Sequence, residues 1–306
     1  MISYSKIKKE NYAFLDELFN LSSDYHELGI AYPRGDLEDI IAELEDYEQK
    51  IDENFYIITN GQENIGTIGY ILEEKKVILV GPIFKKSYHK SEIFIDILSK
   101  FLKNELPIIN LNATIYVVNE NKELISALAR LGFKEKNKRL SMTYDVDTFT
   151  AEAYEENAVK NITKEEIICL NRIRELFDKN MPYRIDGTIN KFLEYLSDGY
   201  KISVLSIDDN IVGFIIWTWF NNLHFGRVDY LCVDGCHQKK GYGKRLMSYA
   251  INEILKIKID VENSKEEFNL LHVELAQSNS LALKSYSGFG FKEDYSYSEF
   301  EYHKHE

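Results

Sequence analysis

The 306-residue sequence has little of several things that would define its class. Its three cysteines, Cys169, Cys232 and Cys236, are too few for a disulfide framework, and their odd number favours a reducing compartment. With only 4 prolines and 16 glycines, long low-complexity linkers are excluded. The longest apolar run, residues 211–220, is about half of what spans a bilayer. The basic N-terminus lacks the apolar run of a signal peptide. These absences predict a cytoplasmic protein without a membrane partner.

Positive charge is also scarce, because the chain has 37 Lys and Arg against 50 Asp and Glu. The resulting net charge of −13 is spread over both halves of the chain. A nucleic-acid-binding protein needs a concentrated basic surface, so that class of partner is excluded. A cationic small molecule or basic peptide suits this charge better, although net charge informs association rather than identity. The composition, 44% apolar and 28% charged, is that of a globular chain long enough for two domains.

The same series of elements is predicted twice along the chain. Two helices near residues 10–22 and 36–49 open the first half, with Asp36 as the N-cap of the second helix. Helices near 164–178 and 188–198 open the second half. In each half three strands, a helix, a strand, a short helix and a last strand then follow.

Fixed points support this repeat. Asn64-Ile65-Gly66 resembles Asn210-Ile211-Val212-Gly213, and Asn121 precedes Gly132-Phe133 by the spacing with which Asn279 precedes Gly290-Phe291. Two such matches in the same order indicate two copies of one α/β domain. We predict domains at 1–148 and 149–306.

The stretch HQKKGYGKRL, residues 237–246, joins an apolar strand to an amphipathic helix. A helix start has free N–H groups and a partial positive charge, and glycines there let an anion approach the backbone. The loop lacks the third glycine of a dinucleotide fingerprint and the Gly-Lys-Ser/Thr of a Walker loop. By itself it predicts either an anion site, most commonly for phosphate, or a plain connection with a solvated basic face.

Gln238-x-x-Gly241-x-Gly243, shortly after Val233, resembles motif A of the GNAT superfamily of acyl-CoA-dependent N-acyltransferases. The spacing of a second motif of that family is matched by Asn279, Ala282, Tyr286, Gly290 and Phe291. The resemblance covers about residues 200–295, and the loop departs from it in having Lys-Lys where the family often has Arg-Gly. It implies an α/β (α+β) fold with two GNAT-like domains. Each would have a central mixed, mostly antiparallel sheet flanked by helices, with the fourth and fifth strands splayed apart.

The resemblance also implies how acetyl-CoA or coenzyme A would be bound. The pantetheine arm would lie in the split between those strands, and the loop would hold the pyrophosphate. A backbone N–H near Val233 would polarise the thioester carbonyl. The implied coenzyme-binding residues are Leu231, Cys232, Val233, Gln238, Lys239, Lys240, Gly241, Tyr242, Gly243, Lys244, Asn279 and Tyr286.

Two residues are candidates for the proton transfers. Tyr286 resembles the family's general acid, and its alternative interpretation is a core aromatic residue. Asp229 lies four residues before Val233, which on a regular strand places it on the same face. It would act as the base or pair with Arg227 or His224. Glu274, on the fifth strand, is the rival base and a candidate contact of the substrate.

Further side chains have less specific candidate roles. Tyr183 and Arg184 lie in the loop 180–187, where the family shapes the acceptor pocket, or else in an ordinary exposed turn. There, Arg184 would suit a carboxylate on the acceptor. Cys232 could act as a nucleophile, or it could form a zinc site with Cys236, His237 and His272. Both alternatives are less favoured than simple packing of these side chains, so no metal is expected.

The first half is predicted to be a degenerate copy. Aligning the elements places Ser87, Lys90 and Glu92 opposite Gln238, Gly241 and Gly243, and Leu128 opposite Tyr286. Glu92 would repel pyrophosphate from the helix start, and leucine has no proton to donate.

The sequence therefore predicts an N-acyltransferase whose second domain transfers an acyl group, acetyl by default, directly from its coenzyme A thioester within a ternary complex. The acceptor would be an amine on a small molecule or peptide, and the protein a monomer or homodimer. The alternative is a non-catalytic acyl-CoA-binding or sensing module. A purely structural interaction protein is a third possibility, against which the intact loop argues.

Overall fold

A computed structural model describes residues 2–33, 35–73, 76–105, 112–150, 158–181, 187–220, 225–259 and 269–303. The chain divides into two compact units, Met1–Leu140 with Tyr295–Glu306, and Ser141–Asp294. These units differ from the predicted division at 148/149, because residues 141–148 belong to the second unit and the last strand mostly to the first.

The first unit begins with β1 (Ile2–Lys6), α1 (Tyr12–Asp24), β2 (Ile30–Tyr32), α2 (Leu37–Asp46) and the single turn α3 (Ile51–Asn54). It continues with β3 (Phe55–Asn60), β4 (Glu63–Leu72), β5 (Lys76–Phe84), α4 (Ser91–Asn104), β6 (Asn112–Val118) and α5 (Lys122–Arg130), and then enters β7 (Lys134–Asp145). Its strands pair in the order β1-β3-β4-β5-β6, and β2 pairs separately with β6. The strands β1, β2 and β8 and the turn α3 were not predicted, since each has five residues or fewer.

The second unit contains β8 (Val159–Asn161), α6 (Ile167–Asn180), α7 (Ile189–Ser197), β9 (Lys201–Ile207), β10 (Asn210–Phe220) and β11 (Phe225–Val233). They are followed by α8 (Tyr242–Ile259), β12 (Leu270–Ala276), α9 (Ser280–Phe289) and the start of β13 (Lys292–Tyr302). The strands are ordered β12-β11-β10-β9-β8, and all of these pairs are antiparallel except β11 with β12. The rest of β13 contains the predicted last strand and pairs antiparallel with β6 in the first unit.

Helices such as α2 and α6 combine an apolar face with a polar start. Asp36 caps α2 as predicted, since its carboxylate accepts from the N–H groups of Glu38 and Asp39. On α6, Leu170, Ile173 and Phe177 recur at helical spacing and are buried against the sheet with Phe192 of α7. None of the described helices is both long and apolar enough to cross a membrane.

The matched glycines of the repeat have a common cause. In β4 the register against β3 shifts at Ile65, and in β10 the register against β9 shifts at Val212, one residue before Gly66 and Gly213 respectively. A methyl group on either glycine would lie within 3 Å of a carbonyl oxygen of the next strand, 2.5 Å at Gly66 and 2.8 Å at Gly213. Both units therefore need a glycine after the same β-bulge.

We expect Gly213→Ala to lower the free energy of unfolding by about 1–3 kcal/mol, because the methyl group would meet the Cys232 carbonyl oxygen. Gly288→Ala is the matched control, since it lies in α9 with no heavy atom within 4 Å of the place its methyl group would take, and it should keep or slightly raise stability. Urea unfolding measures both variants. An unchanged midpoint for Gly213→Ala would contradict this account of the glycines that the two units share.

Candidate functional site

The two parallel strands of the second unit separate part of the way along their length. β11 and β12 pair from Phe225 with Leu270 to Val228 with Val273 and then stop pairing, although both strands continue. Beyond Val273, no residue that the structure describes pairs with this side of β12. The result is the splayed strand pair that the resemblance implied.

The backbone of β11 faces this split at two residues. The Asp234 N–H donates to the Val212 carbonyl at 2.8 Å, and Val233 lies opposite Gly213. In an antiparallel ladder, hydrogen-bonded and non-hydrogen-bonded pairs alternate, so the N–H and C=O of Val233 point away from β10 and toward the split. Leu231, two residues earlier and opposite Ile215, is oriented in the same way. Cys232, between them, directs its peptide groups at β10.

The loop after β11 ends at the first turn of α8, beside the same end of the split. Gly241 has φ +80° and open space around it, and the Arg245 N–H donates to its carbonyl at 3.0 Å. As at every helix start, the N–H groups ahead of Arg245 have no acceptor inside the helix. Lys239 also has a positive φ, +61°, which is uncommon outside glycine. Gln238 anchors the loop, because its Nε2 donates to the Val233 carbonyl at 3.1 Å.

The side chains of β11 divide between two faces. Leu231 and Val233 lie beneath the start of α8, each 4.0 Å from the place a Cβ on Gly243 would take. Tyr230 and Cys232 are buried on the opposite face, among the residues of α6 and α7. An anion at the N-terminus of α8 would thus have glycines, lysine side chains and N–H groups around it, with the apolar side chains of Leu231 and Val233 below.

A β-bulge changes the predicted position of Asp229. Val228 lies opposite Trp217 and Tyr230 opposite Ile216, so Asp229 is the extra residue. The bulge breaks the alternation on which the prediction relied, and Asp229 does not share the face of Val233. Its carboxylate contacts Arg227 instead, with Nε and Oδ1 2.6 Å apart, which realises one of the two predicted alternatives.

Two tyrosines and a second carboxylate surround this ion pair. Arg227 also donates to the Tyr200 hydroxyl, and the ring of Tyr200 packs 4.9 Å from that of Tyr195. Burial lowers the pKa of Arg227, but the charges of Asp229, Tyr200 and Glu274 outweigh it and raise the pKa overall. Glu274 is exposed, alternates along β12 with buried Val273 and Leu275, and lies close enough to Arg227 to stabilise its charge.

Tyr286 is half-buried on α9, a helix that lies beside α8. In the described part of the chain no group hydrogen-bonds its hydroxyl, and its ring contacts Phe291 at 5.3 Å. Burial raises the pKa of the phenol, so it stays protonated at neutral pH. Asn279 has a structural position, because its side chain accepts from the Ala282 N–H at 3.1 Å and caps α9.

The cysteines and histidines do not form the zinc site that the sequence raised as an alternative. Cys232 is buried with its Sγ 3.8 Å from the Leu176 carbonyl, and burial raises the pKa of its thiol to about 12. Cys236 is exposed. Within the described ranges no three His, Cys, Asp or Glu side chains come together as metal ligands would. The predicted acceptor contacts Tyr183 and Arg184, and also His224, lie outside the described residues.

In the first unit the equivalent split is filled by the chain itself. β5 and β6 pair only from Lys76 with Asn112 to Ile78 with Thr114. Farther along, β2 pairs with β6, Ile30 opposite Val117 and Tyr32 opposite Tyr116. A peptide strand thus occupies the edge that is open on β12 among the described residues.

The start of α4 in the first unit is also closed, but by a different residue from the one predicted. The Glu123 carboxylate accepts from the Ser91 N–H at 2.7 Å and from its hydroxyl, and these two bonds lower the pKa of that carboxyl. Glu92, expected to act there, is exposed and lies 3.7 Å from Arg130. Leu128 is the structural equivalent of Tyr286, since Phe133 and Phe291 donate to their carbonyls, both at 3.0 Å.

Sequence reasoning missed a buried carboxylate that holds the loop in place. Asp234 accepts from Lys179 at 2.8 Å, from the Cys236 N–H at 3.2 Å and from Arg172 at 3.5 Å. These bonds, that from Lys179 first, lower the pKa of Asp234. They join α6 to the turn that leads into the loop. The position of an aspartate directly after a strand and before a turn was the available signal.

Comparisons with known proteins agree with this geometry. Residues 198–293 match the model of the acetyltransferase (GNAT) domain family. Among curated proteins, none matches this chain.

Similar solved structures cover both units. A GCN5-related N-acetyltransferase from Sphaerobacter thermophilus has a TM-score of 0.69 at 9% identity, over 98% of this chain and 95% of that one. A tandem GNAT protein from the clavulanic acid biosynthesis pathway has a TM-score of 0.63 at 10% identity, and the match covers 99% of this chain and 98% of that one. A GNAT-family acetyltransferase from Colwellia psychrerythraea has a TM-score of 0.59 at 9% identity, and the match covers 99% of this chain and 100% of that one. At such low identity these structures show the fold, which is that of a tandem GNAT protein.

The environments of the cysteines predict their reactivity. At pH 8 a thiol with a pKa of about 12 is almost entirely protonated, so Cys232 should resist iodoacetamide in the folded chain, whereas exposed Cys236 should be modified. Peptide mass spectrometry after a short exposure measures both sites, and unfolding in urea should release Cys232 for reaction. Equal labelling of Cys232 in the folded and unfolded chain would contradict its burial.

Proposed function

We propose, from the match of residues 198–293 to the GNAT acetyltransferase domain and from the tandem GNAT fold of the whole chain, that the second unit is an acyl-CoA-dependent N-acyltransferase. It would move an acetyl group from acetyl-CoA to an amine by direct transfer in a ternary complex. The GNAT domain supports acyl transfer in general; the acyl group, the mechanism and the site residues below are our proposal.

The observation that carries the proposal is the split between β11 and β12. The peptide groups of Leu231 and Val233 face it, and the start of α8 lies at its end. The pantetheine arm of coenzyme A has two amides and can pair with the Leu231 peptide groups and the Val233 N–H as a short strand would, since the Val233 carbonyl is already bonded to Gln238. Its pyrophosphate is an anion of the kind that a helix start with Gly241 and Gly243 accommodates.

The residues around the mouth of α8 fit this ligand. Lys239, Lys240 and Lys244 are exposed cations on the loop and first turn. Gly241 and Gly243 leave room above the backbone. The side-chain amide of Gln238 is already bonded to the Val233 carbonyl. Gln238 therefore holds the loop on the end of β11, and its Nε2 is not the group that would contact the ligand.

In the reaction the acceptor nitrogen forms a bond to the thioester carbon, the carbon–sulfur bond breaks, and coenzyme A leaves as a thiol. The carbonyl oxygen gains charge in between and would be stabilised by a β11 N–H directed at the split. The amine must lose a proton and the thiolate must gain one. Tyr286 suits the second step, since its phenol is protonated and its hydroxyl is not engaged within the described part of the chain.

The base is less well matched by Asp229 than the sequence indicated. A carboxylate bonded to a guanidinium at 2.6 Å is a weak proton acceptor. Glu274 occupies the equivalent place on β12, directly after the last paired residue, and is exposed. We therefore favour Glu274, acting directly or through water, and assign Asp229 to binding the acceptor.

Acetyl-CoA should bind once per chain, because the first unit has β2 in its split and Glu123 at its helix start. Gly241→Glu should abolish binding by placing bulk and negative charge at the anion site. Gly132→Glu is the matched control, since Gly132 also has positive φ and open surroundings but lies in the first unit. Calorimetric titration measures stoichiometry and affinity. Two molecules per chain, or unchanged affinity in Gly241→Glu, would contradict the assignment.

Tyr286→Phe should leave acetyl-CoA affinity intact and lower kcat by about 10²–10⁴-fold, the range for a lost general acid. Tyr12→Phe, which removes the hydroxyl of a half-buried tyrosine in the first unit, serves as the control. Thiol release with an amine substrate gives kcat. Equal turnover of Tyr286→Phe and the unaltered chain would reject the role. Binding without release with any amine would instead favour the acyl-CoA-sensing alternative.

A further inference from the structure

The buried carboxylate of Asp234 makes more contacts than the turn that it caps requires. Within the described ranges Asp234 is the one acidic or basic residue that is buried, and its side chain is 9% exposed. Its Oδ1 caps the turn 235–237 by accepting from the Cys236 N–H at 3.2 Å. An asparagine would make that bond equally well. The negative charge therefore needs another explanation, since burying it is costly unless cations compensate it.

Two cations of α6 supply that compensation and connect the helix to the turn. Lys179 donates to Oδ1 of Asp234 at 2.8 Å, and Nη2 of Arg172 lies 3.5 Å from Oδ2. Arg172 also donates through Nε to the Ile211 carbonyl, 3.2 Å away at the start of β10. Because Lys179 follows Arg172 by two turns, both side chains leave the same face of α6. The carboxylate is thus held from two points along one helix.

The loop between Asp234 and α8 has little packing of its own. The segment 235–243 contains three glycines, and a Cβ on Gly235 or Gly241 would have no heavy atom within 4 Å. Such a segment has many conformations to lose when it closes on a ligand. Asp234 and Gln238 both fix the end of the loop that leaves β11. The direction of the chain at that end decides where the N–H groups at the start of α8 lie.

We propose that Asp234, held by Lys179 and Arg172, is a positioning residue for the anion that binds at the start of α8. It fixes the path of the loop, so that the N–H groups are in place before the ligand arrives. This inference rests on the proposed function, because the pyrophosphate of coenzyme A is that anion. Coenzyme affinity then depends on α6, through side chains that do not contact the coenzyme.

Charge and positioning predict opposite results for one substitution. Asp234 directly follows Val233, whose side chain lies 4.0 Å from the place a Cβ on Gly243 would take. Asp234→Asn removes a negative charge there and can keep the turn bond, so electrostatics alone would strengthen the binding of an anion. Positioning predicts weaker binding, since a neutral amide does not hold Lys179 and Arg172. Lys179→Met should weaken binding on either account, and its half-exposed side chain makes this the safer variant for folding.

Calorimetric titration of coenzyme A into the full chain measures these changes. We expect Asp234→Asn and Lys179→Met each to weaken binding about three- to tenfold, because the loop must then be ordered during binding. The double variant should lose no more than the larger single change, since both remove one contact. Asp178→Asn is the matched control, because Asp178 pairs with Arg174 on an exposed face of the same helix and should leave affinity unchanged. Unchanged or tighter binding by Asp234→Asn, or additive losses in the double variant, would overturn the proposal.

The chain without coenzyme gives a second readout, from isotope labelling of its glycine nitrogens. The order parameter of the Gly241 amide should be about 0.85 in the unaltered chain and fall toward about 0.6 in both single variants. Gly61, which also has positive φ and open surroundings but lies between β3 and β4, should not change. Equal order at Gly241 in all three chains would overturn the positioning role. If the unaltered chain bound no coenzyme A while Gly241 responded as expected, the proposed function would fail and the anchoring of the loop would stand.

Discussion

The separation of two parallel strands is the constraint on which the rest of the second unit depends. β11 stays paired with β10 up to Val233, whereas its pairing with β12 ends at Val228 and Val273. The Leu231 peptide groups and the Val233 N–H therefore face the split, whereas the Val233 carbonyl already accepts from Gln238. An extended ligand with its own amides, as proposed above, would pair with these groups as a strand does. The loop, the start of α8 and both carboxylates all lie along the same split.

The first unit has the same constraint and meets it with its own residues. β2 pairs with the exposed edge of β6, and the Glu123 carboxylate takes the position of an anion at the start of α4. An internal strand and an internal carboxylate thus replace the two kinds of group, amide and anion, that an acyl-CoA would bring. Under the proposed function, the two units would therefore differ in which molecule supplies these partners.

Features that depend on a few neighbouring residues could be predicted from the sequence. The cap at Asp36 and the glycine turn before α8 are of this kind, because turns and caps are decided locally. The role of Glu123 could not be, since it depends on where α5 lies against α4. The same holds for the bulge at Asp229, because an extra residue is defined only relative to the partner strand.

That bulge has the largest effect on the chemistry of the site. On a regular strand Asp229 would lie with Val233 beneath α8, beside the proposed anion site at the start of that helix, where its charge would oppose an anionic ligand. The extra residue turns it to the face of α6 and α7, against Arg227 and Tyr200. The face of β11 toward α8 then keeps the apolar side chains of Leu231 and Val233, and the other face holds the charges. Acceptor preference can consequently change through substitutions on one face of β11 without disturbing the groups that would bind the coenzyme on the other.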